Sequence, residues 1–152
     1  PAAARDYERK LAELLGRTNG PKQHEIRDVL ADTMQEKVGV FRVGSDLEDA
    51  QAVVDDLRDR FKGVVVDDKG KTFNQSLIHT IETGWLLDLA ASMVTGAVNR
   101  TESRGAHSRT DYPERDDENW MKHTLSYLED DQIRLDYSEV TVTEYQPQVR
   151  TY

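Results

Sequence analysis

Cysteine is absent from the 152 residues, which removes disulfides, thiolate metal sites and thiol nucleophiles together. Aromatic residues make up only 7% and apolar residues 37%, with a mean hydropathy of −0.74. That composition suits a helical domain with a thin core. No apolar run approaches the roughly 20 residues needed to cross a bilayer. Positive charge is also short, with 20 Lys and Arg against 29 Asp and Glu and a net charge of −9. Such a balance argues against a general nucleic-acid binder, whose phosphate contacts need a cationic excess. No secretory or transit pattern is recognisable. The first residue is Pro1, and the expectation is a piece of a longer polypeptide.

The residues that are present are patterned for helices. Tyr7, Leu11, Leu14 and Leu15 follow helical spacing and stop at Asn19-Gly20-Pro21, a strong breaker. Ile26, Leu30, Met34 and Val38 mark a second helix, with Val29 widening its stripe. Ser45-Asp46-Leu47-Glu48 reads as a capping box before a third stripe of Leu47, Ala50, Val54, Leu57 and Phe61. Gly63 is placed to close that helix in a left-handed turn. Asn74 is expected to cap the longest helix, running to about Asn99. One face of it carries Leu77, Ile81, Trp85, Leu89 and Met93, another Leu86, Ala90, Val94 and Ala97. The predicted core holds Leu57, Phe61, Ile81, Trp85, Leu89 and Met93. After Trp120 the period changes to two, through His123, Leu125, Tyr127, an Asp130-Asp131 turn, then Ile133, Leu135 and Tyr137, with Val140 and Val142 extending it. The fold class is therefore mainly α: an antiparallel three- to four-helix bundle followed by an extended C-terminal tail with a β-hairpin. Residues 1–103 form the bundle, and 104–152 form a charged segment and tail packed on it.

The remaining signal is the segment Arg100–Trp120, where Arg100, Arg104, Arg109 and Arg115 alternate with Glu102, Asp111, Glu114, Asp116, Asp117 and Glu118. Such a run cannot build a core. Asp116-Asp117-Glu118 is read as pairing with Arg104, Arg109 and Arg115 or capping the turn before Trp120, the usual fate of acids among arginines. No pair of histidines has metal-ligand spacing, and the single His79–Glu82 pair falls short of the three or four ligands a metal needs. Nucleophile elbows, dinucleotide fingerprints and phosphate loops are missing. No catalytic residue and no metal ligand is assigned. Arg104-Gly105-Ala106-His107 reads as a polar interdomain lock, since arginines concentrate at interfaces and Gly105 permits close backbone approach.

These residues carry a resemblance. Met34–Arg42 (MQEKVGVFR), Asn99–Leu125 (NRTESRGAHSRTDYPERDDENWMKHTL) and Arg150–Tyr152 (RTY) resemble the C-terminal part of the flavoprotein subunit of succinate dehydrogenase and fumarate reductase. The tyrosine of Asp111-Tyr112-Pro113 and the tryptophan at 120 look more like succinate dehydrogenase. The same domain of a fumarate reductase or an L-aspartate oxidase is the alternative, as is an independent helical interaction module. The resemblance implies a parent that oxidises succinate to fumarate with covalent FAD and passes electrons to an iron–sulfur subunit. It implies that this chain binds no cofactor itself. Its partners would be the FAD-binding and capping domains of the same polypeptide and the iron–sulfur subunit, with no membrane span of its own. The site would be the cytoplasmic face of a bacterial inner membrane, or the matrix face in mitochondria. Arg104, His107, Arg109 and Arg115 would serve interdomain docking, and Arg104 and Arg150 would support flavin attachment.

Overall fold

A computed structural model describes residues 2–148; Arg150 and the Arg150–Tyr152 motif lie outside that range. The element order is α1 (Ala2–Gly16), α2 (Gln23–Lys37), β1 (Phe41–Arg42), α3 (Gly44–Phe61), α4 (Gln75–Asn99), β2 (Ser108–Arg109), α5 (Asp117–Trp120), β3 (Lys122–Glu129) and β4 (Gln132–Glu139). The helices α2, α3 and α4 pack against one another pairwise. Their shared core contains Ile26, Leu30, Leu47, Val54, Leu57, Leu87 and Val94. α1 buries no residue fully, although Leu14 packs on the core.

The start of α4 forms as the sequence indicates. The Asn74 side chain accepts from the Leu77 amide at 2.8 Å, satisfying one of the first-turn donors of α4. The expected capping box at Ser45 does not form: α3 begins at Gly44 with no side-chain cap from its own N-cap residue. Asp111 supplies the acceptor instead, taking the Gly44 amide at 3.0 Å. Gly63 is not left-handed either, because the chain leaves α3 through successive tight turns, with Gly63 N bonded to Arg60 O and Val64 N to Phe61 O. The glycine that geometry demands is Gly20, where a Cβ would stand 2.0 Å from the Gly63 carbonyl oxygen.

The face of α4 is where the structure departs most from the sequence expectation. Trp85 is 60%, Leu89 60% and Met93 56% exposed, and Phe61 and Ile81 are only partly buried. Of the predicted core, Leu57 alone is fully inside. The buried face of α4 is Thr80, Thr83, Leu87, Ala90, Ala91, Val94 and Ala97. Thr80 and Thr83 satisfy their hydroxyls on Ser76 O and His79 O, so they enter the core without an orphaned donor. Similarly, Thr33 is buried on α2 while Val29 faces outward.

The strands β3 and β4 form the expected antiparallel hairpin, with Glu129 opposite Gln132. Asp130 and Asp131 both take positive φ, 48° and 64°, the signature of the two-residue turn that matches strand twist. Val140 and Val142 fall beyond the end of β4. Arg58, 9% exposed, ties the hairpin to the bundle by reaching Asp131 and Asp88.

Candidate functional site

The charged segment folds as a loop held against the C-terminal end of α4. A short parallel pairing joins it to the start of α3: Phe41 lies opposite Ser108 and Arg42 opposite Arg109. That pairing brings Arg42 to the loop from 68 positions away in sequence, with Thr110 N bonded to Arg42 O at 2.8 Å. Within the loop, Arg104 and His107 exchange backbone hydrogen bonds of 2.8 and 3.0 Å around Gly105 at φ 60°. Gly105 thus has a local reason: it opens a tight turn that a side chain would strain.

Arg109 is buried, 3% exposed, and its whole guanidinium serves the chain's own fold. Nε and Nη2 grip Asp111 in a bidentate pair at 2.8 and 2.7 Å. Nη1 donates to the carbonyls of Ala97, Val98 and Arg100, the acceptors that a helix leaves unsatisfied at its C-terminus. A cation there also opposes the helix dipole. The Arg109 guanidinium, aided by the Gly44 amide, holds Asp111 well below the usual carboxylate range. Every nitrogen of the Arg109 guanidinium thus has an acceptor on this chain, a use that the sequence expectation of docking did not include.

Glu102 is the second anchor. It is fully buried, and accepts from Arg100 Nη1 at 2.6 Å, from Arg104 Nε at 2.8 Å and Nη2 at 3.0 Å, and from the Asp116 amide at 2.9 Å. Burial alone would push this carboxyl up, but Arg104, the Asp116 amide and Arg100 together hold it below its ordinary value. Asp117 then bridges Arg104 and Arg115, each at 2.7 Å, while Asp116 caps α5 through the Glu118 and Asn119 amides. Arg100 stacks over Trp120 at 5.0 Å, and the Trp120 indole donates to Thr101.

His107 does not order Arg104 through its ring. Arg42 Nη1 lies 2.7 Å from its Nδ1, and its Nε2 lies 3.1 Å from Arg100 O. A guanidinium only donates, so Nδ1 accepts and Nε2 carries the proton. Burial, reinforced by the charges of Arg42, Arg109 and Arg100, pushes the imidazole below its ordinary value. The ring is a neutral spacer with a fixed tautomer.

Two clefts flank this ring. One, of about 620 Å³, has Arg100, Arg104, His107, Trp120, Lys122 and Tyr145 among its walls. The other, of about 240 Å³, is bounded by Arg42, Arg100, His107 and Thr124 with Met93 and Ala97. The structure thus brings Arg104, His107 and Arg115 into one cluster. Sequence reasoning missed Arg42, Glu102 and Asp111 as its organisers. Among the described residues no three metal-ligating side chains converge, and no helix is long and apolar enough to cross a membrane.

Residues 27–152 match the family model described as fumarate reductase flavoprotein C-term. The chain is 39% identical over 152 residues to the fumarate reductase flavoprotein subunit of Haemophilus influenzae, covering 99% of this chain and 25% of that one. It is 41% identical over 120 residues to the succinate dehydrogenase flavoprotein subunit of Rickettsia conorii, covering 78% and 20%. A solved quinol fumarate reductase of Escherichia coli superposes with a TM-score of 0.92 at 37% identity, over 97% of this chain and 26% of that one. The chain spans a fifth to a quarter of the length of the curated relatives it matches.

Proposed function

The chain belongs to the C-terminal family of fumarate reductase and succinate dehydrogenase flavoprotein subunits, and from that premise we propose that it is the docking domain of an enzyme interconverting succinate and fumarate. The observation that carries this is the outer stripe of α4. Ile78, Trp85, Leu86, Leu89 and Met93 are all exposed on a helix whose opposite face fills the core, and a contiguous apolar face of this kind marks an interaction surface. Its intended cover is the FAD-bearing remainder of the flavoprotein. The direction we propose is succinate oxidation, on the Asp111-Tyr112-Pro113 and Asn119–Leu125 motifs, with electrons passing to an iron–sulfur subunit and attachment to a membrane only through that complex. Fumarate reduction is the second reading, favoured by the near-complete coverage of this chain by relatives of that name.

FAD itself does not fit the described residues: no strand, glycine loop and helix come together to cradle a dinucleotide. What it offers the parent is cationic surface. Arg104 keeps its Nη1 clear of any acceptor among the described residues, and with His107 and Arg115 forms the polar part of the docking face. The proposal keeps Arg104, and Arg150 beyond the described residues, as arginines that support flavin attachment in the parent. The test is flavin absorbance of the separated chain after incubation with FAD, beside a dye-coupled succinate assay. Neither binding nor turnover is expected; stoichiometric yellow protein or activity above background would overturn the reading.

A further inference from the structure

Four guanidiniums around the loop have a carboxylate at ion-pair distance: Arg100 and Arg104 on Glu102, Arg109 on Asp111, Arg115 on Asp117. Arg42 has none among the described residues. Its Nε donates to Gly39 O at 2.6 Å and its Nη1 to His107 Nδ1, while Nη2 meets no acceptor among those residues. Removing a guanidinium from water without a counter-charge is unfavourable. Burial pushes Arg42 below its ordinary value with no acid opposing the shift. The 240 Å³ cavity beside it is lined by Arg42, Arg100, His107 and Thr124, and by no acidic side chain. With His107 neutral, its charges are all positive, although the chain as a whole carries −9.

Position on the surface narrows the occupant. Met93 lines this cavity and also the apolar groove that Leu30, Met34, Leu86 and Leu89 form between α2 and α4. Arg100 and His107 continue from the cavity into the larger cationic cleft. Apolar groove, cation cavity and cationic cleft therefore form one track. A dissolved anion would use only its middle, whereas an acidic side chain on a docked surface uses the cavity while its apolar neighbours cover the groove.

We propose that the cavity at Arg42 receives the carboxylate of an aspartate or glutamate carried by the remainder of the flavoprotein polypeptide. This rests on the docking reading above. Arg42 Nη2, which meets no acceptor among the described residues, supplies the charged donor that a carboxylate takes, and the ion pair completes the charge balance of the loop.

The experiment uses the full-length flavoprotein that carries this chain, with Arg42→Lys, treated with a water-soluble carbodiimide. The reagent joins an amine to a carboxylate already in contact, and peptide mass spectrometry identifies the partner. The contacts of Lys37 with Asp49 and of Lys62 with Asp131, at 3.0 and 2.9 Å, are internal controls. The expected result is a new crosslink from position 42 to an acid outside these 152 residues, lost when that acid is changed to its amide. A crosslink to an acid within the chain, or none while the controls form, overturns the proposal. Repeating the reaction with added succinate separates the sources: a succinyl adduct at position 42 in place of the protein crosslink would assign the site to a dissolved dicarboxylate and refute the docked side chain. A longer amine–amine reagent tests the underlying reading separately. If Lys122 joins the remainder while position 42 does not, docking stands and the carboxylate site falls; if neither joins, both fall.

Discussion

Glu102→Ala is the sharpest perturbation of the loop. The carboxylate is fully buried and takes four hydrogen bonds, three from Arg100 and Arg104 and one from the Asp116 amide. Removing one member of a buried ion pair costs about 3–5 kcal/mol, chiefly because the other charge is stranded. Here neither guanidinium is wholly stranded. Arg104 keeps Asp117 at 2.7 Å, and Arg100 keeps the carbonyls of Trp120 and Lys122. The loss should therefore fall at the lower end, about 3 kcal/mol. Glu102→Gln keeps the shape but removes the charge and sets an N–H against donors, for about 2 kcal/mol, within the range for hydrogen bonds to charged groups. Urea titration of the chain reads this as a lower midpoint at unchanged slope. A loss below about 0.5 kcal/mol for Glu102→Ala, the size of an ordinary surface change, would refute the view that this carboxylate organises the loop.

Other expectations follow from burial and charge. Leu87→Ala should cost about 2–5 kcal/mol, because Leu87 is 1% exposed in a packed interior. Leu89→Ala, at 60% exposure, should cost under about 0.5 kcal/mol in the separated chain; equal losses by urea titration would mean the faces of α4 are misassigned. Stability should also fall with acid in two stages. His107 is shifted down in the folded state, so its contribution is complete above about pH 6.5 and is lost as pH drops from there through its lowered value. Glu102 and Asp111 are also shifted down; their contribution is complete above about pH 4.5 and is lost as pH falls through their lowered values. Urea midpoints against pH check this: His107→Gln should flatten the first stage and leave the second.

What the sequence revealed depended on how local the signal was. Asn74 as a cap and Asp130-Asp131 as a turn were legible because each acts on backbone two or three residues away. The apolar periods of α2 and α3, Val29 apart, pointed inward correctly because each helix has one dominant stripe. α4 has two, and hydropathy favours the larger residues. Close helix contact instead selects Ala90, Ala91 and Ala97, with Thr80 and Thr83 bonded back to their own helix, leaving Trp85, Leu89 and Met93 outside. Gly63 misled for a related reason: its role depends on the approach of Gly20, distant in sequence. In the site, Arg104, His107 and Arg115 stood out from the density of the motif. Arg42 did not, since a two-residue parallel pairing leaves no periodic trace. Glu102 looked like any other acid until its burial was known, and Arg109 looked available until α4 was seen to end against it.

The central claim is that the outer face of α4 is an interface with the rest of the flavoprotein. Hydroxyl-radical footprinting read by mass spectrometry tests it most directly, by comparing the labelling rates of Trp85, Leu89 and Met93 in the separated chain and in the full-length protein. The account predicts that all three label readily in the separated chain and that their rates fall severalfold together in the full-length protein, while buried Leu87 stays protected in both. Equal rates at Trp85, Leu89 and Met93 in the two proteins would contradict it.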